Sequence, residues 1–219
     1  MSSNLIKWDQ VNVDSITFGT PKSLDNGCKI IGLYHEGKTL MFQTPPMNSP
    51  YGMSKWSSDI GVDKWSLDLS ITHPEFLNLL KSLEEKILGE ALGESQNWFK
   101  KKISSREVLE ALYTRIVKYS KDSNTGEITD KYPPVVNLKL PQTNGQFQVE
   151  VYDMEKNKIP VMDSVPKRSS VTAIVQCTGI WVAGGKFGCT FKASHLLVSA
   201  PNVIKGYAFV EDPDEVAAE

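Results

Sequence analysis

Lys64-Trp-Ser-Leu-Asp-Leu-Ser-Ile71, followed at once by Thr72-His-Pro-Glu75 and Phe76-Leu-Asn-Leu-Leu80, decides the fold class. Trp65, Leu67, Leu69 and Ile71 alternate with Lys64, Ser66, Asp68 and Ser70. Period two with one apolar and one polar side is a half-buried strand with one wet face. At Thr72 the period changes. Thr72-His-Pro-Glu75 reads as a capping box with proline in the first turn. Phe76, Leu79, Leu80, Leu83 and Ile87 then recur at helical spacing, as far as Gly89 or Gly93. A second box, Ser104-Ser-Arg-Glu107, opens another helix with Val108, Leu109, Leu112, Tyr113 and Ile116 on one side. Both stripes read as core packing.

Outward from this strand-to-helix switch, strands dominate. On the N-terminal side Ser15–Phe18 is a short strand. Lys29–His35 alternates, turns at Glu36-Gly37 and returns as Thr39–Thr44. Residues 45–62, with Pro45, Pro46, Pro50, Gly52 and Gly61, read as a long loop carrying Met47, Tyr51, Met53 and Trp56. Loops of that length are functional or disordered, and exposed aromatics favour function. On the C-terminal side Asp122–Asp130 is a polar turn region. Val135–Leu140 and Gln146–Tyr152 form a second hairpin around residues 142–145. Val171–Val182 and Phe187–Lys192 form a third around Ala183-Gly-Gly-Lys186, and a last strand lies near Ser194–Ser199. The expectation is a mainly β protein, a barrel or sandwich carrying a helical insertion.

Composition excludes several classes. With 40% apolar and 23% charged residues the chain is globular rather than disordered. No apolar run approaches the roughly 18 residues of a membrane helix, and Met1–Trp8 lacks a secretion-type apolar segment. Cys28, Cys177 and Cys189, an odd number, fit a reduced thiol set. An intracellular protein without a membrane partner is expected. Cys177 and Cys189 flank the Gly184-Gly185 turn and are expected to face each other as buried thiols. The 24 Lys+Arg against 26 Asp+Glu hide an asymmetry, because Glu211, Asp212, Asp214, Glu215 and Glu219 crowd the last nine residues without a base. Such a tail is either a solvated terminus or a competitor for a basic surface.

Catalytic signals are absent. Gly185-Lys186 is no phosphate loop, since Ile180 stands where the first glycine belongs and Phe187 where magnesium needs a hydroxyl. His35, His73 and His195 are scattered, and no Cys-x-x-Cys or short His–His spacing seeds a zinc site. No Gly-x-Ser-x-Gly elbow occurs. No enzyme, metal or cofactor is therefore expected.

What remains is cationic and aromatic. Lys55, Trp56 and Lys64 surround the start of the clearest strand, and Lys139 shares a polar face with Asn137. Trp181, Lys186, Phe187, Phe191 and Lys192 crowd the third hairpin, while Trp98-Phe-Lys-Lys-Lys102 with Arg106 makes a further basic patch. Single-stranded nucleic acid needs cations along its phosphates and flat rings against its bases, at roughly 1–3 kcal/mol per stacked base. Core packing competes with stacking for each ring, Trp65 above all, and plain solvation competes for each lysine. The candidate nucleic-acid-binding residues are Tyr51, Lys55, Trp56, Lys64, Lys139, Trp181, Lys186, Phe187 and Lys192. A β-rich structural or virion-associated assembly protein is the alternative.

Leu40-Met-Phe-Gln-Thr-Pro45, Tyr51-Gly-Met-Ser-Lys-Trp56, Lys64–Ser70, Tyr132-Pro-Pro-Val-Val-Asn-Leu-Lys-Leu140, Val171–Val182 and Gly185–Lys192 come in an order that carries a resemblance. Together they resemble the single-stranded DNA-binding proteins of nucleocytoplasmic large DNA viruses, relatives of the acidic-tailed phage replication protein. The resemblance implies an OB-fold-like five-stranded barrel over 28–210, with extra strands and a two-helix insertion at about 72–120. Residues 1–27 would be an N-terminal extension and 211–219 an acidic tail. The implied function is sequence-independent binding in DNA replication, recombination or repair. The tail acids would occupy the groove without DNA and recruit a polymerase or helicase with it. The phage-type tail ends in an aromatic residue, whereas this one ends Val216-Ala-Ala-Glu219. At about 30 Å fully extended it reaches a groove on its own subunit or, in a homodimer, an adjacent one. The site of action would be the host nucleus or a cytoplasmic viral replication site.

Overall fold

The structure, a computed structural model, describes residues 5–57, 63–162 and 164–201. The strands that position the site are β1 (Met41–Gln43), β2 (Met47–Ser49), β3 (Met53–Ser57) and β4 (Asp63–Ser70). Helices α1 (Pro74–Gly93), α2 (Ser95–Phe99) and α3 (Arg106–Leu112) follow. The chain continues through β5 (Val117–Lys118), β6 (Val135–Leu140), β7 (Glu150–Tyr152), β8 (Ser169–Ala183) and β9 (Lys186–Ser199).

Five of these strands close a ring. β8 pairs with β2, β2 with β4, and β4 with β6, each antiparallel. β6 then runs parallel to β9, which returns antiparallel to β8 around the Gly184-Gly185 turn. The protein is therefore mainly β, and the ring is that of an OB-like barrel. Alternation makes the ring possible. Leu67 and Leu69, Val136 and Leu138, Val171, Ala173 and Val175, and Phe191 and Ala193 all point inward and are buried. Each large aliphatic or aromatic side chain buried this way contributes roughly 1.5–3 kcal/mol.

β8 and β9 are longer than the sequence suggests, because the expected separate strand near Ser194 is continuous with β9. Two bulges bend the pair, one at Ile174/Val175 and one between Cys177 and Ile180. Gly179 occupies the second at φ +96°, where a Cβ would meet the Ile31 carbonyl oxygen at 2.5 Å. Only glycine lets the Lys29–Ile31 strand dock so closely against β8. The Sγ atoms of Cys177 and Cys189 approach to 3.2 Å in the barrel interior, as their spacing predicts.

Several expectations change. Residues 45–57 are not loop, since β2 and β3 lie within them; residues 58–62 lie outside the described residues. The 135–140 and 146–152 segments form no extended hairpin. Only Gln142-Thr143 and Gln146-Phe147 pair, while β6 and β7 each run parallel to β9. The segment before residue 28 is built into the sheets. Ile6-Lys7 runs beside β1, and Ile16–Phe18 pairs with Leu33–His35, burying Ile16.

The insertion holds three helices rather than two. α1 starts with His73 as N-cap and no side-chain cap bond, so Thr72 does not close the expected box. α3 is capped one residue later than expected, by Ser105, whose Oγ accepts the Val108 N–H. Val108 faces outward, whereas Leu109 is buried. Lys29 Nζ donates to the carbonyls of Asn97 and Trp98 at the end of α2. No helix among the described residues is long and apolar enough to cross a membrane.

Glu84 of α1 fastens the insertion to the barrel. Its buried carboxylate accepts the Ile116 N–H at 2.5 Å and the Val117 N–H at 3.3 Å, with Arg115 3.5 Å away. Burial raises its pKa above the ordinary glutamate value, against the two backbone N–H groups and Arg115. A raised folded-state pKa gives stability that is full below the unfolded pKa and lost as pH rises through the folded one. Glu84→Gln keeps an acceptor for the amides and removes the titration. Its urea midpoint is therefore expected to fall less than the wild-type midpoint between acidic and neutral pH.

Candidate nucleic-acid interface

The inward alternation of β4, β6, β9 and β8 leaves one outward face whose rows are fixed by register. Ser66 lies opposite Lys139, Lys139 beside Lys192, and Lys192 opposite Gln176. Asp68 faces Asn137, which donates to it at 2.8 Å. Ser70 faces Val135, and Val135 faces Lys118 on β5. Trp56 lies opposite Lys64, whose Nζ stands 5.5 Å from the indole centroid. Lys64, Lys118, Lys139 and Lys192 thus share one surface. Among the described residues the lysines with a carboxylate within 4 Å are Lys55 and Lys158, neither of this set. The Lys139 pKa lies below that of an ordinary lysine. Partial desolvation is the first cause, and Lys118 and Lys64 repel its charge while Asp68 opposes the shift. Like charges gathered on one surface are at their best when an anion joins them.

Two clefts open on this face. The first, about 280 Å³, is lined by Arg115, Lys118, Asn137, Lys139, Trp181 and Thr190. Trp181 is half-buried and donates through Nε1 to Thr190 Oγ1 at 3.1 Å. Its ring lies over Gly188, where a Cβ would come within 3.0 Å of both the indole and the Thr114 carbonyl oxygen. The missing side chain seats the ring beside the lysines. The second cleft, about 470 Å³, shares Lys118 and is lined by Tyr51, Tyr119, Tyr132 and Arg168. Tyr51 is 61% exposed and Trp56 60%, so both offer ring faces to solvent.

The structure separates the residues singled out from the sequence. Tyr51, Trp56, Lys64, Lys139, Trp181 and Lys192 belong to this face or its rim. Phe187 does not, because it is fully buried against Trp98, Phe99 and Tyr113 and cannot stack a base. Lys55 lies opposite Trp65, on the reverse side of β3 from Trp56, and is ion-paired to Asp63 at 2.8 Å. Lys186 sits at the hairpin turn, six residues from Lys192 and so about 20 Å along the strand. Trp98 is core, and Arg106 is held by Glu85 and Glu110, which removes both from the basic patch. Trp65 packs edge-on against Phe147. Glu211, Asp212, Asp214, Glu215 and Glu219 lie outside the described residues.

Lys118, Tyr119, Tyr132 and Arg168 were not legible as a group. Their signal was the repeated basic–aromatic pair, Lys118-Tyr119 and Lys131-Tyr132, on either side of a polar turn. Among the described residues no cluster of three or more His, Cys, Asp or Glu is placed to hold a metal ion.

A five-stranded ring with a cationic, ring-bearing outer face defines the architecture as an OB-like barrel. The chain belongs to the family of unknown function DUF5871, which it matches over residues 59–211. No curated protein matches the sequence. The fold resembles that of the single-stranded DNA-binding protein from bacteriophage Enc34 in complex with ssDNA. There the TM-score is 0.50 at 11% identity, over 85% of this chain and 98% of that one. The C-terminal truncation of the same phage protein gives 0.50 at 9% identity, over 88% and 99%. The single-stranded DNA-binding protein gp2.5 of bacteriophage T7 gives 0.44 at 9% identity, over 78% and 98%. At such identities the likeness to the Enc34 protein is one of fold.

Proposed function

We propose that the protein binds single-stranded DNA without sequence preference across the outer face of the barrel. The observation that carries this reading is the register that brings Lys118, Lys139 and Lys192 together beside Trp181, with no paired carboxylate among the described residues. Lysines neutralise phosphates and release counterions, while Trp181, Tyr51 and Tyr132 offer flat faces to unpaired bases. Sharing its fold with a phage protein solved on ssDNA favours the single strand as ligand. No catalytic step is required. The protein serves DNA replication, recombination or repair, as a factor of a large DNA virus. Its acidic tail competes with DNA for the face and recruits replication enzymes.

The test is displacement of a fluorescent oligo-dT, followed by anisotropy, with unlabelled single-stranded or duplex competitor. Single strands are expected to displace the probe and duplex to fail. Removal of residues 211–219 is expected to tighten binding. Absence of binding by both forms at low salt would overturn the reading and favour a structural assembly role for the same strands.

A further inference from the structure

We propose that Tyr152 and His195 form a second nucleobase subsite at the far end of this face, so that the bound strand continues past Lys192 along β9. This rests on the function proposed above. The bulge at Ile174/Val175 carries the inference. It inserts Ser194 into β9, so that Ala193 still pairs with Val175 while His195 pairs with Ile174. With no bulge, strict alternation through Lys192 and Ser194 would turn His195 inward. With it, His195 and Leu197 are exposed while Leu196 and Val198 stay buried. Bulges re-aim side chains in this way.

The re-aimed imidazole meets β7, which runs parallel with Glu150 opposite His195 and Tyr152 opposite Leu197. The Tyr152 and His195 ring planes lie within 13° of each other, with centroids 6.4 Å apart. They border a cleft of about 340 Å³ whose floor is Ile174 and Leu197, the latter 36% exposed on an otherwise polar strand face. The Tyr152 hydroxyl donates to Glu150 at 2.5 Å, which fixes the ring. Glu150 is in turn neutralised by Lys158 at 3.0 Å. Lys156 also lines the cleft and has no carboxylate within 4 Å among the described residues. Flat walls, an aliphatic floor and a cation at the rim suit a heterocyclic base attached to a phosphate. A hydroxyl already engaged by Glu150 offers no reading of base edges, so the subsite is sequence-tolerant. His195 lies three residues from Lys192, about 10 Å along the strand, within reach of one continuous polynucleotide.

The test uses the full chain, a series of oligo-dT lengths and the double variant Tyr152→Leu, His195→Gln. Photocrosslinking of a 5-iodouracil oligonucleotide, mapped by mass spectrometry, supplies a second readout on the wild type. Short oligonucleotides confined to the Lys139–Trp181 cleft are expected to bind both proteins alike. Long ones should bind the variant about tenfold more weakly, and crosslinks should appear at Tyr152 or His195. Equal binding of long oligonucleotides by both proteins, with crosslinks confined to other residues, overturns the subsite while leaving the proposed function standing. Equal weakening at every length with a lowered melting temperature also overturns it, since the pair would then be structural. Failure of the wild type to bind any oligonucleotide removes the proposed function, and the subsite with it.

Discussion

Phe187→Ala is expected to lower the unfolding free energy by about 3–5 kcal/mol, the usual cost of deleting a buried aromatic ring. Phe187 is fully buried, with ring centroids of Phe99 and Tyr113 each at 5.1 Å and that of Trp98 at 6.4 Å. It is the residue through which β9 meets both α2 and the Tyr113-Thr114 strand, which pairs with Phe187-Gly188. Truncation therefore opens a cavity where insertion and barrel join. Against a total stability of 5–15 kcal/mol typical of a domain, such a loss would leave the fold marginal. Urea denaturation followed by circular dichroism reads the change directly. A loss within about 0.5 kcal/mol would instead mark Phe187 as a surface residue, restoring it as a base-stacking candidate and contradicting its place in the core.

Phe187 also marks what the sequence holds and what hides in it. Alternation from Phe191 puts Phe187 on the inner side, so its burial was legible by parity, although its aromatic neighbours suggest a surface cluster. The same parity puts Lys55 with Trp65 and separates it from Trp56 and Lys64. Local patterns are legible where the structure is local. The 64–71 alternation, the α1 stripe and the Gly184-Gly185 hairpin each depend on residues close in sequence. The parallel pairings of β6 and β7 with β9 are not legible, because partners 45 or 53 residues apart leave no periodic trace of each other. Those pairings decide the site: one sets Lys139 beside Lys192, the other sets Tyr152 near His195. The bulge that exposes His195 was hidden for the same reason. Nor does composition tell a lysine that faces another lysine across a ladder from one that faces water.

The face itself is the central claim, and its cations give the second large effect. Lys118, Lys139 and Lys192 carry side chains on the outward side of the barrel, so replacing them with glutamine removes charge without opening the core. Each phosphate neutralised on a single strand contributes about 0.7 to the slope of log K against log salt. The triple variant Lys118→Gln, Lys139→Gln, Lys192→Gln is thus expected to lose about 2 from that slope. Its affinity for oligo-dT at low salt should fall by roughly two orders of magnitude or more, at an unchanged melting temperature. The measurement that tests the claim most directly is the anisotropy salt titration of oligo-dT with wild type and this variant, side by side. A shallower slope and weaker binding in the variant are the predicted result. A variant that binds with the wild-type slope and affinity would contradict the account, because the strand would then lie on some other surface.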